Sequence, residues 1–482
     1  MLPTSRACFF LLAAVQARRP WAPASQPIGQ QAGFALPEPN SATSGSGSGR
    51  AVNGATVLWN KGLSEVGSVS FVDVRGDIGA VYTGSTYAHV RQSSIVDLKT
   101  GAVRSKTGLT NGFTFVTSVS KDGSRVAVAG WGDGTADPSD PAPWKGVTAD
   151  LAVFGKTLDG PPTWTANFTP ADIFWEEPSM EMCGDGSVVA IGLLSERPPM
   201  PAPVAGALRW FDGATGKALG NYSMATTLGE VFIDKRNCKN VATRGFDGDN
   251  GTFTVLDAQT GAVVTQMPDK YNGLAVNADL TLMLTPSAAD AAQLYDATSG
   301  ALVWEYTAAA AEGVMWGLEV ATTPDSMRDT GFGDSWAVIT WYSSATTTLT
   351  FDLFSLPGTE RPISDRNAKP TATFMISVPL APPPPGGPAI KMAAAHDGAA
   401  LAIAVETLGI FYVDVAQPAP KPVLIWDISK ITPAPAPGIH AFNALAIDTV
   451  GDDVYVAVDA TAGHMVGGGG LTLLHWTGST EL

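Results

Sequence analysis

The chain has 482 residues, 45% of them hydrophobic, which is enough apolar material for a sizeable core and excludes a disordered tail. A formal net charge of −16 excludes a nucleic-acid binder, because phosphate recognition needs clustered Lys and Arg. With 52 Gly and 35 Pro, the chain must turn tightly and often.

The N-terminus reads MLPTSRACFFLLAAVQARRP. Arg6 precedes a short apolar run from Ala7 to Val15, and Val15-Gln16-Ala17 closes it with small residues. This is the pattern of a secretory signal peptide over 1–17, and it is too short to span a bilayer. No later run is long and apolar enough for a membrane helix, so no membrane association is expected. Arg18 and Arg19, with no acid before Glu38, leave a bipartite organelle presequence as the alternative to secretion. Residues 18–54, including SATSGSGSGR, form a Pro/Ser/Gly leader expected to be disordered. Cys8 leaves with the signal. Cys183 and Cys238 then remain as an even pair, which an oxidising compartment joins in a disulfide; free thiols are the alternative. Sequons at Asn167, Asn221 and Asn250 fit the same compartment.

From Ala55 onward short β-rich runs alternate with Gly, Asp and Pro turns. Two half-repeats recur. One is a strand, an Asp-Gly-like turn and a Val/Ala/Ile strand, as in SVSKDGSRVAVAG (118–130), MEMCGDGSVVAIG (180–192), FIDKRNCKNVATRG (232–245), MAAAHDGAALAIAV (392–405) and LAIDTVGDDVYVAV (445–458). The other is an Asp-x-x-Thr-Gly turn, as in VDLKTGAVR (96–104), FDGATGKAL (211–219), LDAQTGAVV (256–264) and, varied, YDATSGALVW (295–304). The halves alternate with a period of about 42 to 75 residues, and each pair supplies about four strands. That is an all-β chain built as a β-propeller of four-stranded blades. About eight units can be counted, with seven as the alternative because the stretch 314–378 is a loose copy. The last unit, ending LTLLHWTG, lacks a Thr-Gly turn, while VLWN (57–60) has no partner before it. VLWN is therefore expected to join the last blade as its outer strand and close a ring spanning 55–478.

The motif Asp-x-x-Thr-Gly-x-x-x-Trp resembles the repeat of quinoprotein-like (PQQ-repeat) and WD40-like β-propellers. The resemblance extends over most of 57–476 as repeat texture. In quinoprotein-like propellers the final Trp docks one blade on the next. Trp304 and, in a looser context, Trp164 keep it, whereas other copies end in Thr265, Gly220 and Ser105. For the dehydrogenase members the resemblance implies pyrroloquinoline quinone and Ca2+. Their alcohol-oxidising forms carry an adjacent Cys-Cys pair, which this chain lacks. Locally the motif needs no cofactor: Gly accepts a positive φ in the turn, and Asp and Thr satisfy backbone N–H groups across it.

Other chemistry is sparse. The five histidines (His89, His396, His440, His464, His475) show no metal-ligand spacing, and no G-x-S-x-G elbow occurs, so no metal or hydrolytic site is expected. Asp133, Asp137 and Asp140 in a long insert are a weaker calcium idea. Glu176 and Glu177 point opposite ways on a strand, so any carboxylate pair would join one of them to Glu319 of another blade. Arg75-Gly76-Asp77 spells an adhesion tripeptide where a hairpin wants Gly-Asp anyway.

Long inserts at 131–149, 193–206, 324–335, 357–372, 379–390 and 462–470 are expected on one face of the ring. They carry Trp131, Asp133 and Trp144. Inner strands beginning at that face bring Trp175, Glu176, Asn272, Trp316, Glu319, His440 and Asn443 toward its mouth. Aromatics beside amides and carboxylates suit a sugar or a peptide, although the same Trp residues also serve to pack under their own loops. The expectation is a secreted, noncatalytic binding module for an extracellular protein or glycan, with no cofactor. A PQQ-dependent sugar or alcohol dehydrogenase is the alternative.

Overall fold

The computed structural model describes residues 55–477 except 67, 88–91, 108–111, 133–147, 169–178, 196–204, 225–226, 248–249, 271–273, 289, 309–313, 323–334, 357–368, 379–387, 389, 406–407, 418, 428–439 and 463–470, together with some side chains near strand ends. The segments expected as signal peptide (1–17) and leader (18–54) lie outside the described residues.

Each repeat folds as its turns dictate. At Asp257, Oδ1 accepts the N–H of Gln259 (3.1 Å) and of Thr260 (2.7 Å) and the Thr260 hydroxyl (2.8 Å), while Thr260 Oγ1 accepts Ala262 N at 3.3 Å. Asp97 and Asp212 repeat this arrangement, and Asp296 does so with Thr298 and Ser299. Gly101, Gly216, Gly261 and Gly300 close the turns at φ 68, 71, 71 and 72°, where a side chain is strained.

Eight four-stranded antiparallel sheets result, each in simple up-and-down order. By their first and last strands they run from Ser68–Arg75 to Val103–Thr107 (blade 1), Gly112–Val119 to Trp164–Phe168 (blade 2), Ser179–Met182 to Ala218–Met224 (blade 3) and Thr227–Ile233 to Val263–Lys270 (blade 4). Blade 5 runs from Ala275–Val276 to Leu302–Thr307, blade 6 from Val314–Thr322 to Ala372–Ser377 and blade 7 from Ile390–Ala394 to Val423–Asp427. Blade 8 takes His440–Val450, Asp453–Ala462 and Leu471–Thr477, and its outer strand is Thr56–Lys61 from the start of the ring. Thr56 pairs with His475 and Lys61 with Leu471. The expected closure and the count of eight both hold, and a one-turn helix, Leu63–Val66, links the closing strand to blade 1.

The core lies between blades, as strand alternation requires. Trp59, Val69 and Val74 pack with Ala444, Ala457 and Leu471 across the blade 8–blade 1 seam. Tryptophans dock one blade on the next. Trp59 Nε1 donates to Leu98 O of blade 1 (2.8 Å) and Trp164 Nε1 to Gly213 O of blade 3 (2.9 Å). Each indole covers the motif glycine of the following blade: a Cβ on Gly101 would lie 2.6 Å from Trp59, and one on Gly216 would lie 2.7 Å from Trp164. Blade 3 lacks the terminal Trp, having Gly220 there. Trp210, the register partner of Gly220 on the third strand, leans into the vacated space and donates to Ala258 O of blade 4 at 2.7 Å. Trp304 follows another course. Blade 6 has no Thr-Gly turn, and Trp304 packs on Phe354 instead, with ring centroids 5.4 Å apart.

One expectation about the faces is corrected. Loops joining strands 2 to 3, and strand 4 to the next blade, open on one face, and the segments 133–147, 196–204, 379–387 and 463–470 do belong there. The inserts expected at 324–335 and 357–372 instead join strands 1 to 2 and 3 to 4 of blade 6, and so open on the opposite face. Blade 6 lacks both turn signatures, and its inserts stand where those turns would be.

Candidate functional site

The first strand of every blade is the inner edge of its sheet, and these edges line the axis of the ring. An unpaired inner edge needs acceptors for its N–H groups. Side chains of the preceding blade supply them. Ser118 Oγ accepts Met182 N at 3.0 Å from blade 2 to blade 3. Ser179 Oγ and Glu181 Oε2 accept Val231 N and Ile233 N at 2.9 and 3.1 Å from blade 3 to blade 4. Glu319 does the same for Ala394 N from blade 6 to blade 7. Glu319, expected as half of an acid pair, is thus employed as an edge acceptor. Burial pushes its carboxyl up to about 8, against the pull of Lys235 and of the Ala394 N–H. The first turns add a backbone belt: Lys121 N to Gly184 O (2.7 Å), Gly184 N to Lys235 O (3.0 Å) and Lys235 N to Ala278 O (2.7 Å).

At the closing seam carboxylates carry the load. Asp448 Oδ2 accepts Gly76 N and Asp459 Oδ2 accepts Val69 N, both at 2.7 Å, so blade 8 holds the first strand of blade 1 at both ends. Asp459 is fully buried, and its Oδ1 has no hydrogen-bond partner among the described residues. Burial pushes its carboxyl up to about 7, and the opposing pulls of the Val69 N–H and Lys391 are smaller. Burial also raises Asp448. His396, in the first turn of blade 7, places Nε2 2.7 Å from Asp73 Oδ1, and Arg75 Nε lies 3.0 Å from Asp73 Oδ2. Blades 7 and 1 are not neighbours, so this contact lies at the axis of the ring. Burial disfavours the Asp73 charge, but Arg75 and His396 outweigh it and hold the carboxyl below the usual range. The Arg75-Gly76-Asp77 tripeptide is therefore built into the seam, with Arg75 bound to Asp73 and Gly76 N to Asp448.

The other sequence candidates are placed by their strands. Trp131 is the penultimate residue of the second strand of blade 2, near the face of the 133–147 insert. Trp316 is the third residue of the blade 6 inner strand, at a register shift between Met315 and Gly317, and Asn443 occupies the corresponding shift in blade 8, three residues after His440. Asp133, Trp144, Trp175, Glu176 and Asn272 lie outside the described residues, as do the side chains of Trp131, Trp316, His440 and Asn443. Sequence reading missed Asp73, Glu181, His396, Asp448 and Asp459. The available signal was an acid inside a Val/Ala run, as in LAIDTV and YVAVDAT.

Cys183 and Cys238 form a disulfide between the first turns of blades 3 and 4, with Cα atoms 5.4 Å apart. Among the sequons, Asn167 and Asn221 are exposed on the outer strands of blades 2 and 3, and Asn167 Nδ2 donates to Asp150 Oδ1 at 2.8 Å. They flank a shallow groove of about 530 Å3 whose floor includes Phe168, Arg209, Phe211 and Gly220. The Asn250 side chain is outside the described residues.

No known protein-family model matches the chain, and no curated protein matches its sequence. Solved structures similar to it include the C-terminal WD40 domain of Sif2, at 12% identity and TM-score 0.54, covering 88% of this chain and 98% of that one. The β-propeller domain of Cps50 (Swd1) from Myceliophteria thermophila aligns at 9% identity and TM-score 0.45, over 87% and 99%. Dihydro-heme d1 dehydrogenase NirN in complex with DHE aligns at 13% and 0.44, over 73% and 66%. What is shared with the WD40 domain is the propeller fold. The quinoprotein part of the resemblance has no family match behind it.

Proposed function

We propose that the protein is a secreted, noncatalytic recognition module for an extracellular protein or glycan, bound at the face that carries the 133–147, 196–204, 379–387 and 463–470 segments. One observation carries this reading. The described motif residues with chemical potential are already engaged in building blades. The Asp-x-x-Thr-Gly residues close turns, while Glu181, Glu319, Asp448 and Asp459 accept N–H groups of the neighbouring blade. The inserts, with Trp144 among them, stand outside the repeated sequence motifs, and aromatic-bearing loops on a rigid scaffold suit recognition. A quinone-dependent dehydrogenase draws no support from a motif whose Asp, Thr and Gly are occupied in turns.

The test is a glycan array and a crosslinking capture on secretory-pathway membranes and medium, run with the intact chain and with a chain whose 133–147 segment is replaced by a short Gly-Ser bridge. A ligand retained by the first and lost by the second is expected. Calcium-dependent binding of pyrroloquinoline quinone with sugar or alcohol oxidation would overturn the reading, as would ligand capture indifferent to the insert.

A further inference from the structure

Asp185 Oδ1 lies 3.0 Å from Cys183 Sγ and 2.9 Å from Cys238 Sγ. A disulfide has no proton to offer that oxygen. Ser187 N holds it there at 2.8 Å, as Ser124 N holds Asp122 Oδ1 in blade 2, so a carboxylate oxygen stands fixed beside both sulfurs whatever their redox state. The repeat explains one of the two contacts. In the matching turn of blade 2, Ser120 Oγ donates to Asp122 Oδ1 at 2.8 Å and accepts Arg125 N at 3.0 Å. Cys183 takes that serine's place and accepts Val188 N at 3.1 Å. A reduced Cys183 thus fits a serine's hydrogen bonds without moving the backbone. The repeat does not explain Cys238, which comes from the next blade, at φ 54°, to the same carboxylate oxygen.

We propose that, once its disulfide is reduced, this pair of turns binds a thiophilic divalent cation of the zinc type through Cys183 Sγ, Cys238 Sγ and Asp185 Oδ1. Asp185 Oδ1 lies within about 3.0 Å of both sulfurs, and breaking the S–S bond lets the three atoms open to the edges of about 3.5–3.8 Å that a tetrahedral ion with bonds of about 2.0–2.3 Å requires. The side chain of Cys238 is half-buried and can rotate to set the sulfurs at ligand spacing. Asp185 is exposed, so the fourth position opens to water. Ser187 N, 2.8 Å from Asp185 Oδ1, and Val188 N on Cys183 Sγ orient the ligands. Two thiolates beside a carboxylate are mutually repelling anions, and a divalent cation reverses that. In the reduction step a phosphine or dithiol delivers two electrons to the S–S bond and is itself oxidised, and two protons from solvent complete the thiols. Binding of the ion then releases both protons. The seam survives reduction because Gly184 N–Lys235 O, Ile233 N–Glu181 and Trp210–Ala258 O hold it independently.

The test uses the full chain with Cys8→Ser, reduced by a phosphine, desalted without oxygen and titrated with Co2+ and then Zn2+. Expected are thiolate-to-cobalt charge-transfer bands saturating at one ion per chain, displacement by zinc, and no such bands in the oxidised protein. Cys238→Ser should abolish the bands, and Asp185→Asn should weaken binding roughly tenfold or more. Near-UV circular dichroism reports whether the ring is intact on reduction. The proposal is overturned if native protein resists reduction, if reduction removes the near-UV signal, if reduced protein binds no more cobalt than Cys238→Ser, or if Asp185→Asn binds as tightly as the parent.

Discussion

The seam between blades 3 and 4 and the seam between blades 8 and 1 solve one problem with different chemistry. Both dock a tryptophan on the next blade's Thr-Gly turn, Trp210 onto Ala258 O and Trp59 onto Leu98 O. The internal seam then pairs backbone with backbone, Gly184 N to Lys235 O, and adds the half-exposed Glu181. The closing seam has two buried aspartates, Asp448 and Asp459, on Gly76 N and Val69 N. The difference teaches that closure, which joins residues about 400 positions apart in sequence, is made by groups that titrate. The internal seam is held mainly by groups that do not.

Breaking the closing seam outright should have the largest effect. A chain starting at Gly62 loses the whole outer strand of blade 8, including Trp59, and bares the edge of Leu471–Thr477. Loss of cooperative thermal unfolding and a shift to aggregates on gel filtration are expected, whereas a chain starting at Arg50 should behave as the full chain does. A cooperative, monodisperse product from the shorter chain would sink the closure argument. Trp210→Ala comes next. It empties a fully buried indole site beside Gly220 and orphans Ala258 O, so about 3–5 kcal/mol should be lost in urea unfolding. A Cβ at Gly220 lies 1.9 Å from Trp210 in the parent, so Gly220→Trp should destabilise the parent but recover part of the loss in Trp210→Ala, where the indole can dock from the outer strand as Trp164 does.

The buried carboxylates of the closing seam, with Glu319 at the blade 6–blade 7 seam, also predict a pH signature. The folded ring binds protons more tightly than the unfolded chain at Asp459 (about 7), at Glu319 (about 8) and at Asp448. Stability should therefore fall as pH rises from about 4, where unfolded carboxylates titrate, through 7 to 8. On the acid side Asp73, Asp97, Asp212 and Asp257 have lowered values, and their contribution is lost as pH falls below about 4. The melting midpoint should peak in mildly acidic buffer. Asp459→Asn keeps an acceptor for Val69 N and should reduce the loss between pH 5.5 and 8.5 by about 1–3 kcal/mol. Calorimetry showing a midpoint that is flat or rising over that interval would refute the assignment.

What could be read from the residues follows the same divide. The Asp-x-x-Thr-Gly turns and the unpartnered VLWN were legible because turn chemistry is local, and they yielded the blades and their closure. The substitution of Trp210 for a missing terminal Trp was not legible, because it depends on the register that sets Trp210 opposite Gly220. Nor were the faces of the blade 6 inserts, since that blade lacks the turns that would have marked its strand order. Asp448 and Asp459 stand inside Val/Ala runs, but the partners that give them a role lie in blade 1, on the far side of the closure. Leu280 stands at φ 52° where other turns use Gly, and its burial against Met283 and Phe253 had no sequence mark.

The smallest effect offers the finest comparison of the two seams, at the turns that receive their tryptophans. Thr260→Ala removes the hydroxyl that donates to Asp257 Oδ1 and accepts Ala262 N, in an exposed turn, and about 0.5–1.5 kcal/mol should follow. Thr100→Ala removes the same pair of bonds from the closing seam's turn. There Asp97 keeps a second anchor, because Arg104 Nε and Nη2 lie 3.0 and 2.5 Å from its Oδ2. Arg104 is also the leading cause of the lowered Asp97 carboxyl, whereas the N–H and hydroxyl of Thr260 are the leading causes at Asp257. Thr260→Ala should therefore cost more than Thr100→Ala and should move the Asp257 titration, followed by carboxyl NMR, further than Thr100→Ala moves that of Asp97. Equal shifts at the two turns would mean that Arg104 contributes nothing there and that the receiving turns are interchangeable. The reverse order would mean that the hydroxyl serves the docked tryptophan more than the turn.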